Sequence, residues 1–293
     1  MRHVASVLLV VVAMSVAVAG QQPTFRSGVD VVRIDASVMS GLTPVAGLGR
    51  EQFVLVDNGV TQTVDSVVLE NVPLSLTLVL DTSESMRGDR IDHLIEGAKG
   101  LIKALHPQDD AALVTFSEPV RLAVPMTRNR QVVLDALDAL VPDGATSLND
   151  AVFLSLQLKP MQASDSRPVL LAFSDGHDTS SWLTNDQLLD ATRRSNLLLH
   201  VIELLPPAYG MNMPLRPSEL LRNLARAGGG RHWAAQKPSD LNDLFGKALN
   251  ELRARYLLTY TPSGVQRSGW HDVKVTLRNA RGDVTARPGY FVP

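Results

Sequence analysis

LSLTLVLDTSESM, residues 74–86, decides how the rest of this chain is read. Its apolar run, 74–80, ends abruptly in Asp81, and a small hydroxyl-rich loop follows with Ser83 and Ser85 at alternate positions. As packing, a buried strand that ends in an acid and two spaced hydroxyls is poor. As a ligand set it is sound, because Asp, Ser and Thr oxygens are the donors that hard cations such as magnesium, manganese or calcium take.

Downstream of this stretch the chain alternates strands and helices. Ile91, Leu94, Ile95, Ala98, Leu101, Ile102 and Leu105 mark one face of an amphipathic helix. Strands are predicted at 111–116, 120–124, 168–173, 197–203 and 231–235, and helices at 132–140, 148–158, 186–195 and 217–227, the last stopped by Gly228-Gly229-Gly230. A final helix, capped by Ser239, reaches about Arg255. Such alternation implies an α/β fold: a doubly wound, mostly parallel sheet flanked by helices, Rossmann-like in type. Ligands of these sheets sit at the carboxyl ends of the strands, at a topological switch point. The Asp81 loop is placed there by its position in the sequence.

Both flanks are β-like. Residues 29–38 alternate apolar and polar, 52–56 read as a strand closed by the turn Asp57-Asn58-Gly59, and 60–69 alternate again. At the other end 256–260, 271–277 and 283–286 are strand candidates. Each flank is too thin to bury much alone, so the N-terminal segment, 21–71, and the C-terminal segment, 256–293, are expected to pack together as a small β-sandwich with 72–255 inserted between them. A fragment spanning 72–255 is then expected to fold by itself.

Two further loops match the chemistry of the first. Gly144-Ala145-Thr146-Ser147 precedes a helix, and Ser174-Asp175-Gly176 follows the strand at 168–173. Together the three resemble the metal-ion-dependent adhesion site of von Willebrand factor A (VWA) domains, with Asp81, Ser83, Ser85, Thr146 and Asp175 in the matching positions. The resemblance covers roughly 72–255. In the flanks, Pro44 to Leu48, Asp57-Asn58-Gly59, the stretch 256–262 and Arg287-Pro288-Gly289-Tyr290 resemble the exported VWFA-related proteins of acidobacteria. The resemblance implies a bound divalent ion, magnesium first, with manganese able to substitute and calcium disfavoured because it takes more and longer oxygen contacts. Three neutral hydroxyls and two carboxylates, one or both acting through water, leave such an ion short of ligands. A carboxylate from the Asp or Glu of a protein partner can complete it. Ser147 is read as a helix cap.

Composition narrows the alternatives. Of 293 residues, 45% are hydrophobic and 20% charged, which suits a chain with one large or two smaller cores. Its 28 basic and 30 acidic residues give a formal net charge of -2, with no broad pull toward nucleic acid or anionic lipid. Trp182, Trp233 and Trp270 are scattered and form no stacking platform. There is no Cys, which removes thiolate catalysis, iron–sulfur clusters and Cys-based zinc sites. Arg2 and His3 precede an apolar run, 4–18, with Ala17-Val18-Ala19 at the cleavage spacing, so 1–20 read as a secretory signal peptide cut after Ala19 or Gly20. Export without disulfides fits a bacterial periplasmic or secreted protein, with no membrane insertion after cleavage.

For an enzyme the search is mostly negative: no P-loop, G-x-G-x-x-G, H-E-x-x-H or G-x-S-x-G occurs. Arg281-Gly282-Asp283 is read as a hairpin turn, His177 and Asp178 as exposed loop residues, with a place at the border of the site the alternative, His200 as a satisfied core histidine, and Asp109-Asp110 as the turn into a strand. The expected function is an exported, non-enzymatic binding module. The alternatives are an envelope scaffold whose metal only stabilises and a metal-dependent hydrolase.

Overall fold

The computed structural model describes residues 31–41, 43–70, 72–161, 166–176, 178–195, 197–206 and 216–292. The signal-peptide expectation and His177 lie outside the described residues. In chain order the first strands are β1 (Val32–Ser40), β2 (Thr43–Pro44), β3 (Phe53–Asp57), β4 (Val60–Gln62) and β5 (Ser66–Glu70). The central part follows: β6 (Leu74–Asp81), α1 (Asp89–Ala104), β7 (Asp110–Phe116), β8 (Val120–Thr127), α2 (Arg130–Asp138), α3 (Leu148–Ser155), β9 (Arg167–Ser174), α4 (Asn185–Arg194), β10 (Leu198–Leu204), α5 (Glu219–Ala227), β11 (Gly229–Ala235) and α6 (Leu241–Arg253). The last strands are β12 (Arg255–Tyr260), β13 (Gly269–Leu277), β14 (Asp283–Ala286) and β15 (Gly289–Val292).

The central sheet has six strands in the order β11-β10-β9-β6-β7-β8, parallel except for the edge strand β8. All eight residues of β6 are buried. Helices cover both faces, so Ser75 and Thr77, which alternate with the leucines, are buried as well. Leu74, Leu76, Leu78 and Leu80 face α1, α2 and α6, while Val79 faces the opposite core of α3, α4 and α5. Each fully buried leucine contributes roughly 2 kcal/mol of transfer free energy. The chain builds outward from β6 through β7 to β8, then crosses back to β9 and builds the other way. The switch point therefore falls between β6 and β9, whose carboxyl ends carry Asp81 and Ser174.

The flanking strands form two more sheets, β14-β1-β12-β5 with β2 on β1, and β15-β13-β3-β4. Ile34, Ala36, Phe53, Leu55, Tyr256, Leu258, Val273 and Val275 pack between them. The seam with the central unit is ionic. Arg167 at the start of β9 donates from Nε to Asp35 (2.8 Å) and from Nη2 to Glu70 (3.0 Å). Arg255, wholly buried, pairs with Asp35 as well, and Ser37 Oγ donates to the buried Glu251 of α6 (2.8 Å).

Several local expectations change. The alternating run 60–69 is two strands, because β4 pairs with β3 in one sheet and β5 pairs with β12 in the other. β11 begins inside the glycine run, where Gly228 and Gly230 lie against the Leu199 backbone too closely for any Cβ. β15 lies in Gly289–Val292, a segment read only as part of a resemblance. The cap of α6 is Asp240, after a short 3-10 turn at Pro238–Asp240, not Ser239. Asp109 is more than a turn residue: its carboxylate accepts from Leu74 N (2.8 Å) and His106 N (2.6 Å) and pairs with Arg253.

Candidate metal centre

The loop after β6 is shaped by its own first residue. Asp81 is wholly buried, and its Oδ1 accepts from Ser83 N (2.9 Å). Ser83 Oγ then lies 3.0 Å from Ser85 Oγ, so the two alternate hydroxyls sit side by side. Thr82 turns the other way and is spent on the sheet: both its N (2.8 Å) and Oγ1 (3.1 Å) donate to Phe116 O at the end of β7. From β9, Ser174 Oγ donates to Asp81 Oδ2 (2.8 Å) and accepts from Gly176 N (3.1 Å).

The second loop is pinned against the first. Glu84 N donates to Gly144 O (3.0 Å), and Asp143 N donates to Thr82 O (2.9 Å). Gly144 has φ +75°, a backbone state that β-carbons resist, which explains glycine at the bend. Thr146 is buried, and its backbone pairs with the third loop: Thr146 N donates to Thr179 Oγ1 (2.9 Å), and its carbonyl accepts from Thr179 N (2.9 Å) and Ser180 N (3.1 Å). Thus loops one and two meet at residues 82–84 and 143–144, loops two and three at 146 and 179–180, and loops one and three at Asp81 and Ser174.

Electrostatics mark this edge as unfinished. Burial, with the Asp175 carboxylate adding repulsion, pushes Asp81 up from 3.8 to about 6 despite its hydrogen bonds from Ser83 and Ser174. Asp175 is also buried, and its Oδ1 has no hydrogen-bond partner. The positive charge nearest at hand is Arg90, in the first turn of α1. Its Nη1 donates to Ser85 O (2.7 Å) and lies 3.4 Å from Asp175 Oδ2. Among the described residues no three His, Cys, Asp or Glu side chains converge. Any ion here would therefore be held by two carboxylates and hydroxyls, the hard-oxygen donor set that suits magnesium better than zinc. An orphaned buried carboxylate oxygen beside a second, mutually repelling carboxylate fits a divalent cation.

Sequence reasoning missed two partners and gave two other residues a different role. Ser174 bridges Asp81 to the third loop, and Arg90 stands against Asp175. Asp178 is not simply an exposed loop residue: it accepts from Asn149 N (2.8 Å) and from Ser181 Oγ (2.6 Å), tying the third loop to the start of α3. Ser147 makes no capping hydrogen bond, since its Oγ pairs with Ser180 Oγ (2.8 Å). Glu203, a further buried carboxylate at the end of β10, is occupied by His232 Nε2 (2.6 Å) and Ser218 N (2.9 Å). His200 is only half satisfied: Nδ1 accepts from Arg231 N (3.0 Å), while Nε2 has no partner.

A parallel sheet switching direction between β6 and β9, with hydroxyl and carboxylate loops at that point, makes an α/β domain whose candidate ligand site lies at its carboxyl edge. Residues 76–177 match the family model of the von Willebrand factor type A domain. An uncharacterised protein of Synechocystis is 27% identical over 109 residues, covering 36% of this chain and 26% of that one. The chain spans 26% to 34% of the lengths of the curated relatives it matches. Among solved structures, a von Willebrand factor type A protein from Catenulispora acidiphila superposes with a TM-score of 0.53 at 14% identity, covering 83% of this chain and 73% of that one. A mussel byssus protein, proximal thread matrix protein 1, described with a zinc-occupied MIDAS motif, gives 0.52 at 13% identity, covering 67% and 49%. No helix among the described residues is long and apolar enough to cross a membrane.

Proposed function

We propose that this chain is an exported, non-enzymatic binding module that holds a divalent cation through Asp81, Ser83, Ser85, Thr146 and Asp175 and docks an Asp or Glu carboxylate of a protein partner. The observation that carries the reading is the unpartnered Asp175 Oδ1, buried beside an Asp81 that burial already destabilises as an anion. Magnesium is the ion the donors suit, with manganese able to replace it, and when bound it offers an acidic side chain an electrostatic anchor. The protein's own part is to align the donors. Asp81 orders the loop by accepting from Ser83 N, Ser174 holds Asp81, and the Gly144 turn brings up Thr146. The mussel protein's occupied motif is a precedent for metal in this fold. The partners around Asp81 and Asp175 are hydroxyls, backbone N–H groups and Arg90, which favours binding over hydrolysis.

Calorimetric titration of the full chain with magnesium tests the proposal, comparing it with Asp81→Ala and Ser83→Ala. Heat of binding lost in both variants supports it, and no heat in the parent chain overturns it. Capture of a partner from envelope extract should then require magnesium and fail with Asp175→Ala. A second reading, a scaffold whose metal only stabilises, draws on the buried ion network at the seam. Capture that survives Asp175→Ala would favour it, and turnover of generic phosphate or ester substrates would revive the hydrolase.

A further inference from the structure

Along α4 and α5 three arginines stand without partners beside an aromatic floor. Arg193 ends α4, and Arg222 and Arg226 lie one turn apart on the adjacent α5. All three are exposed, and none of their guanidinium groups enters an ion pair or hydrogen bond among the described residues. They border a groove between these helices and the flanking sandwich, with one lobe of about 610 Å³ and a second of about 450 Å³. Asn223 and Arg226 line both lobes, so the groove is continuous. Trp270 and Phe291 supply its apolar surface, and Phe291 is 47% exposed.

The acids nearby offset the groove's positive charge only in part. Asp190 is taken by Arg194 Nε (2.9 Å), whose guanidinium also lies over the Phe291 ring at 5.2 Å. Asp272 accepts from Trp270 Nε1 (2.8 Å). Asp283, at the rim of the second lobe, is the one further carboxylate lining it, and His232 there is paired with Glu203. Arg287 is not part of the free charge either. It donates to the carbonyls of Thr192, Arg193 and Ser195, where a cation complements the carboxyl end of α4.

We infer that this groove binds an extended acidic segment of a polypeptide, with carboxylates on Arg193, Arg222 and Arg226 and an apolar side chain on Trp270 and Phe291. Side chains at i and i+4 of a helix stand about 6 Å apart. Alternate residues of an extended chain stand about 6.6 Å apart. A segment with an acid at every second position therefore meets Arg222 and Arg226 in register. A compact anion fills one arginine's reach but neither the length of the two lobes nor the aromatic floor. The site is distinct from the metal centre by topology. α4 runs from the carboxyl end of β9 back to the start of β10, and β9 and β10 are parallel. Its last turn, with Arg193, thus lies at the edge opposite Asp81 and Asp175, roughly 25 Å away along eight-residue strands, as does the end of α5 with Arg226, while Arg222 stands one turn nearer the carboxyl edge.

The test is fluorescence anisotropy on the full chain with a labelled short peptide of alternating glutamates ending in phenylalanine, with and without a metal chelator. Binding is expected with the chelator present, weakened by salt, weakened roughly tenfold by the Arg222→Glu, Arg226→Glu double variant, and unchanged in Asp81→Ala. All these positions except Asp81 are exposed, so circular dichroism should show the variants folded. The inference is overturned if the peptide does not bind, if the double variant binds as well as the parent, or if the chelator abolishes binding, which would move the contact to the metal pole. Equal displacement by inorganic phosphate at the same concentration would reassign the groove to small anions and likewise overturn it. Failure here leaves magnesium calorimetry unaffected, so the two readings fall separately.

Discussion

A carboxylate buried like Asp81 would normally be replaced over time by something cheaper to bury. Held at about 6 rather than 3.8, it destabilises the ion-free fold at neutral pH by an amount on the order of 1–3 kcal/mol. Asp81→Asn is therefore expected to raise the melting temperature of chelator-treated protein while removing the upward shift that magnesium gives the parent. A single differential scanning series with and without magnesium reads both effects. Arg90 gives a second prediction. Its Nη1, 3.4 Å from Asp175 Oδ2, stands in for positive charge that a metal would supply. Arg90→Gln should tighten magnesium binding severalfold, since a partly buried ion pair of roughly 1 kcal/mol no longer competes. A weaker affinity in that variant would instead make Arg90 a positioning residue. None of this was legible locally: Asp81, Ser83 and Ser85 are neighbours in sequence, whereas Arg90 and Asp175 meet across the fold.

Between elements, α1 packs tightly against α6 in the site's scaffold. A β-carbon on Gly97 of α1 would fall 2.7 Å from Phe245 Cδ2, and Phe245 is wholly buried with no room to swing away. Gly97→Ala should accordingly destabilise by about 1–3 kcal/mol despite alanine's better helix propensity. Gly100, on the same helix, meets nothing within 4 Å, so Gly100→Ala should be neutral or mildly stabilising. Urea melts of the pair separate the two outcomes. Helix and strand types were readable from periodicity because each depends on local burial pattern. The split of 60–69 into β4 and β5 was not, because it depends on which of two sheets each half joins.

Across the whole molecule, Asp35 ties the sandwich to the central unit. Burial works against its charge, yet Arg255 and Arg167 hold it below the usual carboxylate range. That stabilisation is present above about pH 4 and is lost as pH falls through the depressed folded value. His200 acts earlier. Burial, reinforced by the charges of Arg255 and Arg231, keeps its imidazole neutral well below 6.5, so the unfolded chain takes up a proton that the folded chain refuses. His200 pulls stability down as pH drops below about 6.5, against Asp81, whose protonation through about 6 adds stability. With Asp81→Asn removing that opposing titration, the fall below about 6.5 should show, and His200→Gln in that background should flatten it without moving the limb near pH 4. Denaturant midpoints across this range check both. Asp35→Ala leaves two buried guanidinium groups short of an acceptor and should cost about 3–5 kcal/mol. For the same reason a fragment spanning 72–255 is expected to fold with a lower melting temperature than the full chain.

What residues 74–86 determined by themselves was a fully buried strand and a loop of hard oxygen donors, because continuous burial and donor spacing are both written within a few residues. The three-loop match followed from order and spacing along the chain. Tertiary structure alone decided what surrounds those donors. It set Ser174 and Ser83 on Asp81, left Asp175 Oδ1 bare, and aimed Arg90 at the gap. It also brought Arg193 of α4 into one groove with Arg222 and Arg226 of α5. Apart from the local Ser83–Asp81 contact, these join residues tens of positions apart, and the crossing between β6 and β9 is what brings Ser174 and Asp175 within reach of the first loop and of Arg90.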